Sequence, residues 1–139
     1  ITLLDVAYLH GGLKDQQLAA EQNRFSDGTV ENWLARVDAL GAPSTMHTIG
    51  LAPHSVRAVH ESELAFIAKH RNSRVVHIHV SEQPAENDAC REATGRTPTQ
   101  LLNDTQLLGS LTTAVHATHL QRSDIDLLGQ SKTFACFCP

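Results

Sequence analysis

Apolar positions in this chain switch repeatedly between runs that suit strands and spacings that suit helices. Residues 1–8 (ITLLDVAY) are nearly continuous in apolar character and read as a buried strand. A long, Gly- and Gln-bearing stretch from His10 to Gly28 shows little periodicity and reads as a loop, of a length more often functional than idle. From 29 to 40, Val30, Trp33, Leu34, Val37 and Leu40 recur at helical spacing, with Asp27 or Thr29 as N-cap and Gly41 as C-cap. The alternation then repeats. Residues 47–52 (HTIGLA) form a short strand ending at Pro53, and 62–70 a helix whose apolar face is Leu64, Phe66, Ile67 and Ala68. Residues 74–80 (RVVHIHV) are β-branched and strand-like. Helices follow over 85–93, stopping at Gly95, and from Pro98 to Leu102 behind a Thr97 cap. Strand 112–117, a short helix 123–128 and strand 133–138 complete the series.

Strands separated by helices predict parallel pairing through right-handed crossovers, an α/β fold. An open doubly wound sheet and a segment of a (β/α)8 TIM-type barrel both accommodate the pattern. Neither a G-x-G-x-x-G after a strand nor a P-loop is present, so nucleotide-binding readings lack their phosphate cradle. The polar residues gather at the carboxyl ends of strands, where both architectures place their sites. The chain opens inside an apolar strand without Met and closes on a strand at Pro139, and a whole barrel takes roughly 250 residues. The expectation is therefore about half of a larger catalytic domain, spanning 1–139.

A formal charge of −4, with eleven scattered Lys and Arg, gives no clustered basic surface for nucleic acid. No apolar run approaches the roughly 20 residues of a membrane span. Three cysteines, Cys90, Cys136 and Cys138, form no disulfide framework and fit a reducing cytoplasm. Cys136 and Cys138 share a strand face and are expected in the core. Cut strand edges favour self-association. The compositional oddity is nine histidines, concentrated at predicted strand ends.

Three segments carry candidate chemistry. In His77-Ile78-His79-Val80-Ser81-Glu82 the two imidazoles face one way, and Glu82 lies just past the strand. That arrangement supplies one metal ligand and one proton carrier, or merely a hydrogen-bonded pair lining a polar interior, since two histidines cannot hold zinc alone. Val115-His116-Ala117-Thr118-His119 ends the next strand. His116 there is either a base working near neutral pH or a strand cap. In Ala52-Pro53-His54-Ser55-Val56-Arg57, Arg57 could clamp a carboxylate with His54 beside it, or pair with a surface acid. Tyr8 and His10 end the first strand and are weaker candidates for the same pocket.

The stretches APHSVRAV, HIHVSEQPAEN, ACREATGRTPTQLL and TTAVHATHL resemble the formimidoylglutamate deiminases of the amidohydrolase superfamily. With LLDVAYLHGG, QNRFSDG and FACFCP the resemblance covers essentially the whole chain. It implies a (β/α)8 barrel with one zinc ion, other divalent metals being alternatives. Of the family's metal ligands, two first-strand histidines, one fifth-strand histidine and one eighth-strand aspartate, only His79 finds a match. The chain would thus lack the first and last strands. By the same carry-over Glu82 shuttles protons, His116 orients the hydrolytic water, and His54 and Arg57 contact substrate. The implied reaction turns N-formimidoyl-L-glutamate and water into N-formyl-L-glutamate and ammonia, a step of histidine degradation in the cytoplasm. A deaminase of a ring amidine and a catalytically incomplete fragment are the competing expectations.

Overall fold

The computed structural model describes residues 1–14, 16–41 and 44–138, so Pro139 of the final motif lies outside the described residues. The strands are β1 (Thr2–Ala7), β2 (Thr48–Pro53), β3 (Val76–Val80), β4 (Thr112–His116) and β5 (Phe134–Cys136). Between them run the helices α1 (Val30–Asp38), α2 (Glu61–His70), α3 (Pro84–Thr94), α4 (Pro98–Asp104) and α5 (Arg122–Ser131).

Local chemistry explains most of these boundaries. Thr29 caps α1 by accepting the Asn32 N–H, and Thr97 with Gln100 closes a capping box on α4 behind Pro98. Gly95 stops α3 at a φ of 73°, where a side chain would be strained. Four sequence expectations shift. Helix α1 ends at Asp38 with Ala39 as its cap, ahead of Gly41. Helix α2 starts one residue early because His60 and Glu63 form its capping box, and Asp124 does the same for α5 with Gln121. A 3-10 turn, Asn23–Phe25, interrupts the long first loop.

All four strand pairs are parallel, in the order β1-β2-β3-β4-β5. A doubly wound sheet reverses direction at a switch point. This order never reverses, and that architecture falls; successive neighbours of a (β/α)8 barrel remain. Gly50 is where the sheet is tightest: a Cβ there would meet Leu4 Cδ2 at 2.7 Å and Val75 Cγ2 at 2.8 Å.

The alternation of β3 sorts the two faces of the sheet. Val76, Ile78 and Val80 are buried in a core shared with Trp33, Val37, Leu64, Ile67, Leu101 and Leu102 of the helices. Each such aliphatic side chain contributes about 1.5–3 kcal/mol by leaving water. His77 and His79 point the other way, into a cavity also lined by Leu4, Val6, Ala52, His54 and Val115. The helices cover one face, and the chemistry looks out from the other. Cys136 and Cys138 are exposed, correcting the expectation that they pack in the core. The physical reason is position: β5 is the last strand of the sheet, and Phe134, Ala135 and Cys136 are all exposed along it.

Candidate active site at the strand ends

Parallel strands about 4.8 Å apart bring their carboxyl ends side by side, and four aromatic rings line up there. Tyr8 lies 4.6 Å from His54, His54 lies 4.7 Å from His79, and His79 lies 5.2 Å from His116, centroid to centroid. Each ring comes from a different strand or the residue following it. The register sets Val115 opposite His79 and His116 opposite Val80. Strict alternation would therefore turn His116 toward the helices with Val80. Instead His116 and Ala117 adopt φ values of 68° and 49°, and this left-handed backbone delivers the imidazole to the His79 side.

His79 is held by the chain itself. Its Nδ1–H donates to the carbonyl of His54 at 2.8 Å, a partner that can only accept. In the neutral ring Nε2 then carries the lone pair, the arrangement needed in a metal ligand or proton acceptor. Glu82 lies past the end of β3, with a carboxylate oxygen 3.8 Å from His116 Nε2. The structure brings His54, His79, Glu82 and His116 into one group and sets Tyr8, the weaker sequence candidate, against His54.

Burial lowers the His54 pKa to about 4, reinforced by the neighbouring His79 and Arg57 and partly opposed by Glu82. Neutral His54 therefore prevails above that value. In the unfolded chain this imidazole protonates near its ordinary value of 6.5, so the unfolded chain binds more protons than the folded chain between the two. Stability is expected to fall as pH drops from 6.5 toward 4. Unfolding midpoints across that range check this, and His54→Gln should flatten the slope. A cation held at His79 would act in the same direction. His77 is also pushed down by burial, and it faces the apolar cavity below the row.

Arg57 lines a second cavity with Glu82, Gln83, Ala85 and Glu86. Among the described residues its guanidinium has no hydrogen-bond or ion-pair partner, in contrast to Arg36, Arg74 and Arg96. The sequence reading missed Glu86 and Asn87, which are buried in the first turns of α3. The SEQPAEN stretch contains both, but helical periodicity assigns acids and amides to the solvent face.

His10, by contrast, does not join the row. His10, His60 and Glu63 form a group of metal-ligating type, with candidate atoms within 4.8 Å of one another. The atoms are already engaged. His10 Nε2 meets both Glu63 oxygens at 2.9 and 3.0 Å, Glu63 Oε2 accepts the His60 N–H, and His60 Nε2 meets the Gly12 carbonyl. The two rings also stack in parallel, 3.8 Å apart and 7° from coplanar, so their in-plane lone pairs do not converge. This trio clasps the first loop onto α2.

Residues 13–139 match the amidohydrolase family model. The chain belongs to the amidohydrolase family. A formimidoylglutamate deiminase of Pseudomonas aeruginosa is 35% identical over 99% of this chain and 31% of its own length. A 5-methylthioadenosine/S-adenosylhomocysteine deaminase of Teredinibacter turnerae is 37% identical over 70% of this chain and 20% of its own. Among solved structures, an amidohydrolase from Brucella melitensis superposes with a TM-score of 0.81 at 29% identity, covering 99% of this chain and 31% of that one. A zinc-bound adenosine deaminase from Xanthomonas campestris, at 20% identity and a TM-score of 0.76 over 98% of this chain and 29% of that one, supports the fold. The chain spans between 20% and 31% of the curated amidohydrolase relatives named here. Its five parallel strands are thus a segment of the amidohydrolase barrel.

Proposed function

We propose that this chain is the middle part of a zinc-dependent deiminase that hydrolyses N-formimidoyl-L-glutamate to N-formyl-L-glutamate and ammonia. One observation carries the reading. Glu82 and His116 meet at 3.8 Å beside the pre-oriented His79, while the nearby Arg57 has no hydrogen-bond or ion-pair partner among the described residues. A proton carrier, a base and a ligand thus meet at the strand ends, and a carboxylate clamp lines the adjoining cavity together with Glu82. Residues 1–139 form part of the catalytic domain, and His79 is the metal-ligand position of the family pattern matched by this chain.

His79 fits a metal because its Nδ1–H is committed to a carbonyl and Nε2 is not. A bound zinc ion supplies the Lewis acidity that makes water nucleophilic near neutral pH. The remaining work falls to side chains of this chain. His116 orients the attacking water. Glu82 takes one water proton as the oxygen adds to the formimino carbon and gives it to the terminal nitrogen; the proton left on the added hydroxyl then follows to the same nitrogen as the carbon–oxygen double bond forms, the carbon–nitrogen bond breaks and ammonia leaves. Arg57 grips a carboxylate of the glutamate part, and neutral His54 donates a hydrogen bond beside it. Such an enzyme serves histidine degradation in the cytoplasm, as a homo-oligomer acting on a small-molecule substrate. Among the described residues no helix is long and apolar enough to cross a membrane.

The relatives include deaminases of adenine-containing compounds, and Arg57 separates the two substrate classes. Arg57→Ala in the full-length protein is expected to raise KM for N-formimidoyl-L-glutamate about 10- to 100-fold, as suits losing a charged hydrogen bond. The change in kcat should be much smaller. Ammonia release from this substrate and from 5-methylthioadenosine measures both. Unchanged KM for the acidic substrate, or better turnover of the nucleoside, would transfer the assignment to a ring amidine.

A further inference from the structure

Glu86 sits at the third position of α3, where an acid normally closes a capping box on its own helix. Here it does something else. Its Oε2 accepts the backbone N–H of Glu82, one residue before the Gln83 N-cap, at 3.0 Å. The side chain of the N-cap, Gln83, makes no capping hydrogen bond. Glu86 is only 7% exposed, and its Oε1 is buried without a hydrogen-bond partner among the described residues. Burial pushes its pKa up, opposed only in part by the Glu82 and Ser81 backbone and the Arg57 charge, so keeping an acid in this place is costly to the fold. A helix cap alone does not require that cost, since a surface Ser, Thr or Asp serves as well.

The surroundings show what is being held. Chain direction changes abruptly at Ser81, whose φ is 51°, and Glu82 follows immediately. The next residue of α3, Asn87, accepts from Ser81 Oγ at 2.8 Å and donates to the His119 carbonyl at 2.6 Å. His119 N–H in turn donates to the Ser81 carbonyl at 3.0 Å. One turn of α3 therefore ties the end of β3 to the segment after β4, the two places that present Glu82 and His116. The side chain of Glu82 is 46% exposed, so packing does not fix it. Its backbone must.

We propose that Glu86 is a positioning residue: its buried carboxyl pins the Glu82 N–H and so aims the Glu82 carboxylate at His116. This rests on the reading of Glu82 as the proton carrier. The role is that of a hydrogen-bond acceptor at a set reach, so an amide oxygen at the same reach serves in its place.

The test compares kcat, KM, bound metal and melting temperature for four variants of the full-length, zinc-loaded protein, assayed with N-formimidoyl-L-glutamate. Glu86→Gln keeps an acceptor and is expected to retain kcat within about threefold. Glu86→Met keeps the volume without a strong acceptor and should lower kcat about 10- to 100-fold, the cost of a misplaced reacting group. KM and metal content should stay near their starting values. Glu86→Asp shortens the reach and should behave like Met, which keeps the test decisive if Met impairs folding. Glu82→Gln is the reference. If it keeps turnover, the proton-carrier reading fails, whatever Glu86 does. If Glu82→Gln is inactive but Glu86→Met or Glu86→Asp turns over like the parent, the positioning role alone is overturned. A Gln variant as slow as the Met variant also overturns it.

Discussion

Glu82→Gln is expected to lower kcat by about 10²- to 10⁴-fold, the range that a positioned proton carrier supplies. Gln has the same size and still forms hydrogen bonds, but its amide does not take up a proton at neutral pH. Everything else in the pocket survives the change. His79 keeps its carbonyl partner, the His54–His79–His116 row is untouched, and Glu86 still meets the backbone N–H at 82. Metal content should accordingly remain near that of the parent, and KM should move little. Metal analysis alongside steady-state kinetics reads both. Parallel loss of metal and turnover would instead make Glu82 a ligand or a structural residue.

Trp33→Ala carries the largest expected effect on stability, about 3–5 kcal/mol, because a large ring leaves a fully packed site. Trp33 is 0% exposed and belongs to the core that joins α1 to the sheet. Its Nε1–H also donates to Asp5 on β1 at 2.9 Å, and Arg36 donates twice to the same carboxylate at 2.8 Å. Burial pushes the Asp5 carboxyl up, but the hydrogen bonds from Arg36 and Trp33 outweigh it and hold the group below its usual range. Trp33→Phe preserves most of the packing and leaves Asp5 with its Arg36 partner, so about 1–2 kcal/mol is expected there. Denaturant unfolding midpoints measure the pair. An Ala variant no weaker than the Phe variant would mean that the indole hydrogen bond, not the packing, sustains this corner.

The parts of this molecule legible in sequence are those where one physical rule acts alone. β-branched runs gave β3 and β4, and the apolar spacing of Val30, Trp33, Leu34 and Val37 gave α1. The H-x-H and V-H-A-T-H segments stood at the predicted strand ends, but spacing alone left a hydrogen-bonded pair or a strand cap equally open there; the resemblance of the flanking stretches carried the chemical reading. Choosing between barrel and open sheet required strand order, which periodicity does not encode. Cys136 and Cys138 were misplaced because burial on β5 depends on what packs over it, and nothing does among the described residues. His10 was ambiguous for a related reason: its partner Glu63 lies 53 positions away. Glu86 escaped notice because an acid in the first turn of a helix ordinarily faces water and favours the helix dipole. Only the fold reveals that this one is enclosed.

The backbone at His116 narrows what can ever stand there. With φ at 68°, the position disfavours valine, isoleucine and most bulky residues, and it accepts glycine, asparagine, aspartate and histidine far more readily. Drift at this codon is therefore channelled: a lineage that abandons the imidazole is steered toward a short polar residue or glycine, not toward the aliphatic residues common elsewhere in the sheet. A loss of chemistry would leave a recognisable scar, since the bend outlasts the side chain it once served.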